Sequence, residues 1–479
     1  MVDATFLRGE AKDAGRLPPP VGTALYRTAM TQYAGAFLLM GPALDWLTMA
    51  RRCLRDAAGC LQRGLLTSVF APVVGLERMW HLEEMEDVGF ALLTGGRRCP
   101  SRSAVGGWRR HLPWYEVDAF CRRTSPWHLI RGDAALVSYD EHTIPRWTHK
   151  FRIPKGYVTT RNKYMRCEKL FYTYDLLRHR YLAVRATPGD RGLIDLAVPL
   201  TRQTLACGQP DYLHALFDAG AGSSDAGVRT LWDLVEQEHP RLDVTVRACR
   251  YPHRVRAWKS LPSGLFVPHQ EPGPYVGAPA KEVRLAETVT VLKDETPEQA
   301  VRTVVCREVV RGPKPDRWHP LFTTSLVESD EVLGLFRTRQ RHEQAYRVGV
   351  YDEGLDSVPC GYDKDSPDPK RPRFQRGPLQ MMGWLVALVY NAVADFAQQL
   401  AGDFADSHVR TLRRKFFNRP GHLYATPEAL VVSLDPFTGQ EALEPVIDAF
   451  NAAGHRLPWL DNRRVVMALT PHARSRASP

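Results

Sequence analysis

No two cysteines stand at C-x-x-C spacing, although nine are present: Cys53, Cys60, Cys99, Cys121, Cys167, Cys207, Cys249, Cys306 and Cys360. An odd set without paired spacing supplies neither a disulfide framework nor a zinc cluster, and fits a reducing compartment. The first residues lack the apolar run of a secretory leader, being broken by Asp3, Arg8, Glu10, Lys12 and Asp13. Clean apolar runs of membrane-spanning length, about 20 residues, are missing too. Residues 34–50 contain Pro42 and Asp45, and residues 379–396 contain Gln380, Asn391 and Asp395, so both are expected to be buried core helices. Internal repeats and low-complexity tracts are absent. A cytoplasmic globular protein without a membrane partner is the expectation.

What the chain does have is ordinary core-forming composition and an excess of positive charge. It is 479 residues long and 44% hydrophobic, enough for about three domains at roughly 100–200 residues each. Lys and Arg number 64 against 53 Asp and Glu, a net charge of +11, which favours polyanionic partners such as nucleic acid.

Residues 1–125 read as helical. Within them Thr94-Gly95-Gly96 forms a turn and Pro100-Ser101 a helix start, followed by a helix carrying Arg102, Arg109 and Arg110. With Arg97 and Arg98 this resembles the second helix of a helix-turn-helix, although an ordinary helical hairpin with a basic face has the same pattern. From 126 to 250 the pattern is strand, strand, strand, helix, strand, helix, strand, which predicts a mixed α/β sheet. The first strand, 134–139, leads into Asp140, and the apolar run 212–217 leads into Asp218. Residues 251–325 read as a small β insertion outside the core sheet. In 326–420 a long basic helix is expected over 333–350 and an apolar one over 379–400. The last stretch, 421–479, reads as strand, helix, strand.

A strand-end aspartate can leave its carboxylate free for a hard cation such as Mg²⁺. Taken singly, each of Asp140 and Asp218 serves equally as a turn residue or a helix cap. Glu343 has Arg339 four residues before it and Arg347 four after, so the three share a helix face, either as solvated ion pairs or as a metal ligand between phosphate-gripping arginines. After Asp140 comes a basic stretch, Arg146, Lys150, Arg152, Lys155, Arg161, Lys163, Arg166 and Lys169, interleaved with Trp147, Phe151, Tyr157 and Tyr164. Only Glu168 opposes that charge. Basic side chains among aromatics suit phosphate neutralisation and base stacking.

These residues resemble the catalytic regions of bacterial insertion-sequence transposases of the DDE class. Ser138 to Trp147, with Lys155-Gly156-Tyr157 and Arg161-Asn162-Lys163-Tyr164 after it, is similar to the family's first aspartate region. Leu216-Phe217-Asp218-Ala219-Gly220 is similar to the second, and Arg339 to Glu343 to the helix of the third acid. One group in the family carries the pattern Y-x2-R-x3-E-x6-K. Here Phe336 and Val350 replace its Tyr and Lys, while Arg339 and Glu343 match. The resemblance spans about residues 90–400. It implies a ribonuclease H-like core with a β insertion before the third acid, and an N-terminal DNA-binding region. It also implies two Mg²⁺ ions, with Mn²⁺ as an alternative, held by Asp140, Asp218 and Glu343. The implied reaction is cleavage at element ends and strand transfer into target DNA. The partners would be double-stranded DNA at element ends and target, together with further copies of the chain as a dimer or larger assembly. The location implied is the bacterial cytoplasm, at the nucleoid. Two rival functions keep the same residues: a non-catalytic DNA-binding protein derived from a transposase, and a ribonuclease H-like nuclease without strand transfer.

Overall fold

The computed structural model describes residues 27–470 apart from 57–58, 77, 148–151, 272–279, 293–298, 311–314, 353–354, 356–359, 363–367, 369–372 and 406. The chain forms two compact units. One contains Met1–Thr124, Tyr346–Asp363 and Phe374–Pro479; the other contains Ser125–Ala345 and Lys364–Arg373.

The first unit opens on a strand, β1 (Arg27–Thr31), where the sequence pattern predicts helix. A 3₁₀ turn over Ala34–Leu39 leads into α1 (Met40–Cys53), followed by α2 (Leu61–Val73), α3 (Val88–Leu93), α4 (Arg102–Arg110) and α5 (Trp114–Thr124). Pro42 lies in the first turn of α1, where its missing N–H leaves no helical bond unmade. Asp87 caps α3, accepting from the Phe90 N–H at 2.8 Å, and also accepts from the Thr31 hydroxyl at 2.7 Å, which ties β1 to this helix. Ser101 caps α4 by accepting from the Ala104 N–H at 3.2 Å, at the predicted helix start.

The second unit is built on one ten-stranded sheet. Its strands are β2 (Ala134–Pro145), β3 (Lys155–Val158), β4 (Lys163–Asp175), β5 (Arg180–Pro188), β6 (Tyr212–Phe217), β7 (Leu242–Arg247), β8 (Val267–Glu271), β9 (Lys281–Leu292), β10 (Gln299–Glu308) and β11 (Arg317–Thr323). Its helices are α6 (Leu193–Gly208), α7 (Asp225–Glu238), α8 (Pro252–Lys259), α9 (Ser329–Arg337) and the first part of α10 (Gln340–Asp352). The sheet runs β3-β4-β2-β6-β7-β11-β10-β9-β8, with β5 paired to β4. Around β2 the pairing is parallel to β6 and antiparallel to β4, and β6 is parallel to β7, so the sheet is mixed. The continuous apolar run of β6 is what a parallel strand covered on both faces requires. Residues of α6, α7 and α8 pack with inward side chains of β2, β6 and β7 in one core cluster.

Two expectations are corrected here. The β-rich segment is not a separate insertion: β11 pairs antiparallel with β7, so β8–β11 extend the core sheet. The Thr245 hydroxyl seals that join, sharing hydrogen bonds with His214 at 2.8 Å and Thr323 at 2.9 Å across three strands. The long helix expected over 333–350 is two helices, α9 and α10, separated at Thr338–Arg339, where the Thr338 hydroxyl donates to the Leu335 carbonyl at 2.6 Å.

The first unit resumes with α11 (Arg376–Gln399) and α12 (Val409–Leu412), which runs into a π turn over Arg413–Phe417. Then come β12 (Gly421–Ala425), β13 (Ala429–Leu434), α13 (Glu444–Ala453), β14 (Arg456–Leu457) and β15 (Arg463–Leu469). The expected strand-helix-strand is present as β13, α13 and β15, with β13 and β15 parallel. It belongs to a larger sheet, β1-β12-β13-β15-β14, completed by the N-terminal strand. Among the described residues α11 alone is long and apolar enough to cross a membrane, but 83% of its apolar window is buried in the protein, as a core helix would be.

Trp384 is fully buried at the centre of α11, and its indole N–H donates to the Thr124 hydroxyl at 2.7 Å. Trp384→Ala is expected to lose about 3–5 kcal/mol of stability and Trp384→Phe less, read as midpoints in thermal or urea melts. An alanine variant melting with the wild type would show that this ring is not central to the core.

Candidate active site

Parallel pairing sets three charged residues side by side. The β2–β6 register ends at Tyr139 opposite Phe217, and the β6–β7 register ends at Phe217 opposite Val246. The next residue on each chain is Asp140, Asp218 and Arg247, and neighbouring strands lie only about 4.8 Å apart. Tyr139 and Phe217 stack at 4.7 Å between ring centroids, and the Tyr139 hydroxyl donates to Thr204 of α6 at 2.8 Å. With residues 139 and 217 committed to that core, the alternation of a strand turns Asp140 away from it. Asp218 begins the loop after β6, as the sequence predicts. Asp140 does not end its strand: β2 continues to Pro145 by pairing with β4 alone. Asp140 therefore stands where β2 and β4 leave the body of the sheet as an antiparallel ribbon.

Glu343 reaches the same place from α10. Arg339, buried at the break between the helices, donates from Nη1 to Asp140 Oδ2 at 3.0 Å and from Nη2 to Glu343 Oε1, and lies 3.9 Å from Asp218 Oδ2. One guanidinium thus stands at the focus of all three predicted acids. The neighbouring His342 fixes the helix: its Nδ1 shares a hydrogen bond with the Ser138 hydroxyl at 3.0 Å, and its ring stacks on Tyr174 with centroids 4.9 Å apart. Ser138 lies two residues before Asp140, so this contact sets α10 against the strand that carries the first acid.

The charges respond to burial and to one another. Burial pushes the Asp140 carboxyl up to about 7; Arg339 opposes that shift, while Asp218 and Glu343 add to it. Burial alone would lower Arg339, but the three carboxylates outweigh it and hold the guanidinium protonated above its ordinary value. The His342 imidazole is pushed down to about 3 by burial and then by Arg339, so it is neutral and structural.

The donor chemistry fits a hard divalent cation. The converging atoms are all carboxylate oxygens, and Asp218 Oδ1 is buried without a hydrogen bond, its charge partner Arg247 lying 3.6 Å away. Among the described residues no three acids, histidines or cysteines already form a metal-ligating group, and the positive charge at the focus of the acids is that of Arg339.

The expected basic residues differ in how open they are to solvent. Arg152, Lys155, Arg161 and Lys163 are exposed on the ribbon, and Arg166 is half-buried there. Arg98, Arg102 and Arg110 are exposed, Arg97 is half-buried, and Arg102 pairs with Glu83 at 3.5 Å. Arg347 is exposed on α10. Three others are withdrawn from any phosphate-binding surface. Arg109 is buried and donates to Ser68 Oγ at 3.0 Å; Lys169 is buried against Glu141 at 3.1 Å; Arg339 is buried among the acids. Arg146 is tied to the fully buried Glu168. Lys150 lies outside the described residues. Sequence reasoning overlooked Arg247 and His342. A basic residue one strand over from Asp218 was the available sign of the first, and a histidine beside the third acid the only sign of the second.

No family model and no curated protein matches the chain. Among solved structures, a piggyBac transposase synaptic complex with hairpin DNA, determined by cryo-EM, is similar over 84% of this chain and 82% of that one, at 12% identity and a TM-score of 0.38. A superposition this loose assigns no activity.

The raised Asp140 carboxyl sets a pH dependence. It titrates near 3.9 in an unfolded chain but at about 7 in the folded protein, so the folded state holds the proton more tightly. Its contribution to stability is present below about pH 4 and is lost as pH rises through about 7. In metal-free buffer the melting temperature of the wild type should fall across that interval relative to Asp140→Asn, whose amide does not titrate. Parallel curves for the two proteins would remove the shift.

Proposed function

We propose that this chain is a DNA transposase of the DDE class, cutting DNA and joining the freed end to a target at the Asp140, Asp218 and Glu343 site. The observation that carries the reading is the meeting of these three acids, from β2, the end of β6 and α10, around one cation. The strand order β5-β4-β2-β6-β7, an antiparallel ribbon beside two parallel strands, supports the ribonuclease H-like core that the sequence resemblance implies.

Asp140, Asp218 and Glu343 would hold two Mg²⁺ ions, or Mn²⁺ in their place. When bound, such ions supply the Lewis acidity and nucleophile activation that in-line phosphoryl transfer needs. Arg339 at the focus of the acids supplies fixed positive charge, and Arg247 beside Asp218, which is less deeply buried, could donate to a phosphate oxygen. The Ser138–His342–Tyr174 contact keeps the third acid in reach of the first two. The exposed bases of the ribbon would neutralise the backbone of DNA lying across the site. Arg97, Arg98, Arg102 and Arg110 would contact element ends, and assembly as a dimer or more on DNA follows from the need to join two ends.

A second reading has one observation in its favour. Arg339 already offsets part of the charge of the three acids, as it would in a DNA-binding protein that no longer cuts. Cleavage separates the two. With Mg²⁺ and a donor plasmid carrying the gene's native flanks, the wild type is expected to give cut and joined products. Asp140→Asn, Asp218→Asn and Glu343→Gln should each lower cleavage by about a thousandfold or more with DNA affinity unchanged. Near-normal cutting by any one variant removes that residue from the site, and cut but unjoined DNA would assign a nuclease.

Arg339→Gln leaves the carboxylates without their cation. Its melting temperature in EDTA should lie below that of the wild type, and Mg²⁺ should raise it more than it raises the wild type. A variant whose melting ignores Mg²⁺ would argue against a metal site at these residues.

A further inference from the structure

Beyond Asp140 the β2–β4 ribbon is closed by β3 into a hairpin with two unlike faces. One face is packed down. Val158 and Cys167 are buried, and a Cβ on Gly156 would come within 2.2 Å of the Gly189 carbonyl oxygen, so only glycine lets the hairpin lie this close. The other face is open. Tyr157 sits directly opposite Tyr164, and Lys155 opposite Arg166, so these four side chains share one surface. The two tyrosine rings meet edge to face at 5.5 Å, and the Tyr157 hydroxyl is bonded to Asn162 in the turn, where a left-handed φ of 49° reverses the chain. At the same turn the Arg161 guanidinium lies 5.7 Å over the ring of Trp147.

Trp147 is 70% exposed, Tyr164 72% and Tyr157 42%. Exposed rings amid exposed Arg152, Lys155 and Arg161, with Lys163 exposed at the turn end opposite Val158, combine flat apolar surfaces with positive charge and no acid from the same segment, since Glu168 is buried against Arg146. A duplex keeps the faces of its bases in the stack and offers only groove edges and phosphates. Unpaired nucleotides offer both a face for each ring and a phosphate for each cation. We propose that this hairpin is a binding platform for single-stranded DNA, stacking unpaired bases on Tyr157 and Tyr164 of its open face and on Trp147 beside its turn. The inference rests on reading the carboxylate site as one that acts on DNA, and adds to it that the strand beside the site is unpaired. Tyr164 is eight residues along β4 from Tyr172, the partner of Asp140. At about 3.3 Å per residue the platform lies roughly 26 Å from the acids along the ribbon.

The test is fluorescence anisotropy of the full chain with fluorescein-labelled dT20, U20 and a 20-base-pair duplex, in EDTA so that no cutting is required. Tyr164→Ala and Trp147→Ala should each raise the Kd for dT20 about tenfold and leave the duplex unchanged. Tyr164→Phe, which keeps the ring, should bind dT20 like the wild type. Lys155→Ala with Lys163→Ala should weaken both DNAs and flatten their salt dependence. Equal losses on dT20 and duplex, or none on dT20, would overturn the stacking platform, and tighter binding of U20 than of dT20 would overturn the assignment to DNA. Wild-type dT20 binding by a chain whose Mg²⁺ cleavage assay is negative would sink the catalytic reading and leave the platform standing.

Discussion

Like charges held within a few ångströms in a half-buried place repel strongly unless a cation stands among them. That constraint organises the second unit. Asp140, Asp218 and Glu343 are tolerated together because the Arg339 guanidinium lies at their focus, and Arg339 can be buried there because it is surrounded by carboxylate. The break between α9 and α10 belongs to the same arrangement: an arginine at the junction turns inward to the acids while the glutamate one turn later approaches from the helix side.

Backbone pairing brings the acids together before any side chain is considered. Because β2, β6 and β7 are parallel and in register, their last shared rows place Asp140, Asp218 and Arg247 as neighbours. Beneath them the Tyr139–Phe217 stack fills the core, so packing and placement of the acids are two faces of the same rows. The third acid comes from far along the chain and needs its own fastening. Buried and neutral, His342 supplies it by a hydrogen bond to Ser138 and a stack on Tyr174. The β2–β4 ribbon then carries its basic and aromatic side chains outward from the acids, so the acid cluster and this surface share two strands.

Much of this was legible in the chain itself. Apolar runs located β2, β6, β7, α6, α11 and α13, because local burial leaves a local pattern. The residue types of the three acids and of the basic stretch were plain, and their resemblance to DDE transposases grouped them. Less could be read where the deciding partner was distant. Residues 27–31 carry no strong strand pattern, and they become β1 because β12 offers an open edge. The β8–β11 segment joined the core sheet because β7 had an unpaired side. Arg109, Lys169 and Arg339 look like any surface base in sequence, and only Ser68, Glu141 and the three acids across the fold bury them.

The sequence by itself therefore determined which groups are present and where most of the core strands and helices lie, since both follow from side-chain chemistry and from periodicities of two and 3.6 residues. Tertiary structure alone decided which acids meet, which cation stands among them, which bases remain open to solvent, and that Tyr157 faces Tyr164 on the ribbon. Those outcomes depend on register between strands and on burial by residues elsewhere in the fold, from tens to about two hundred positions away.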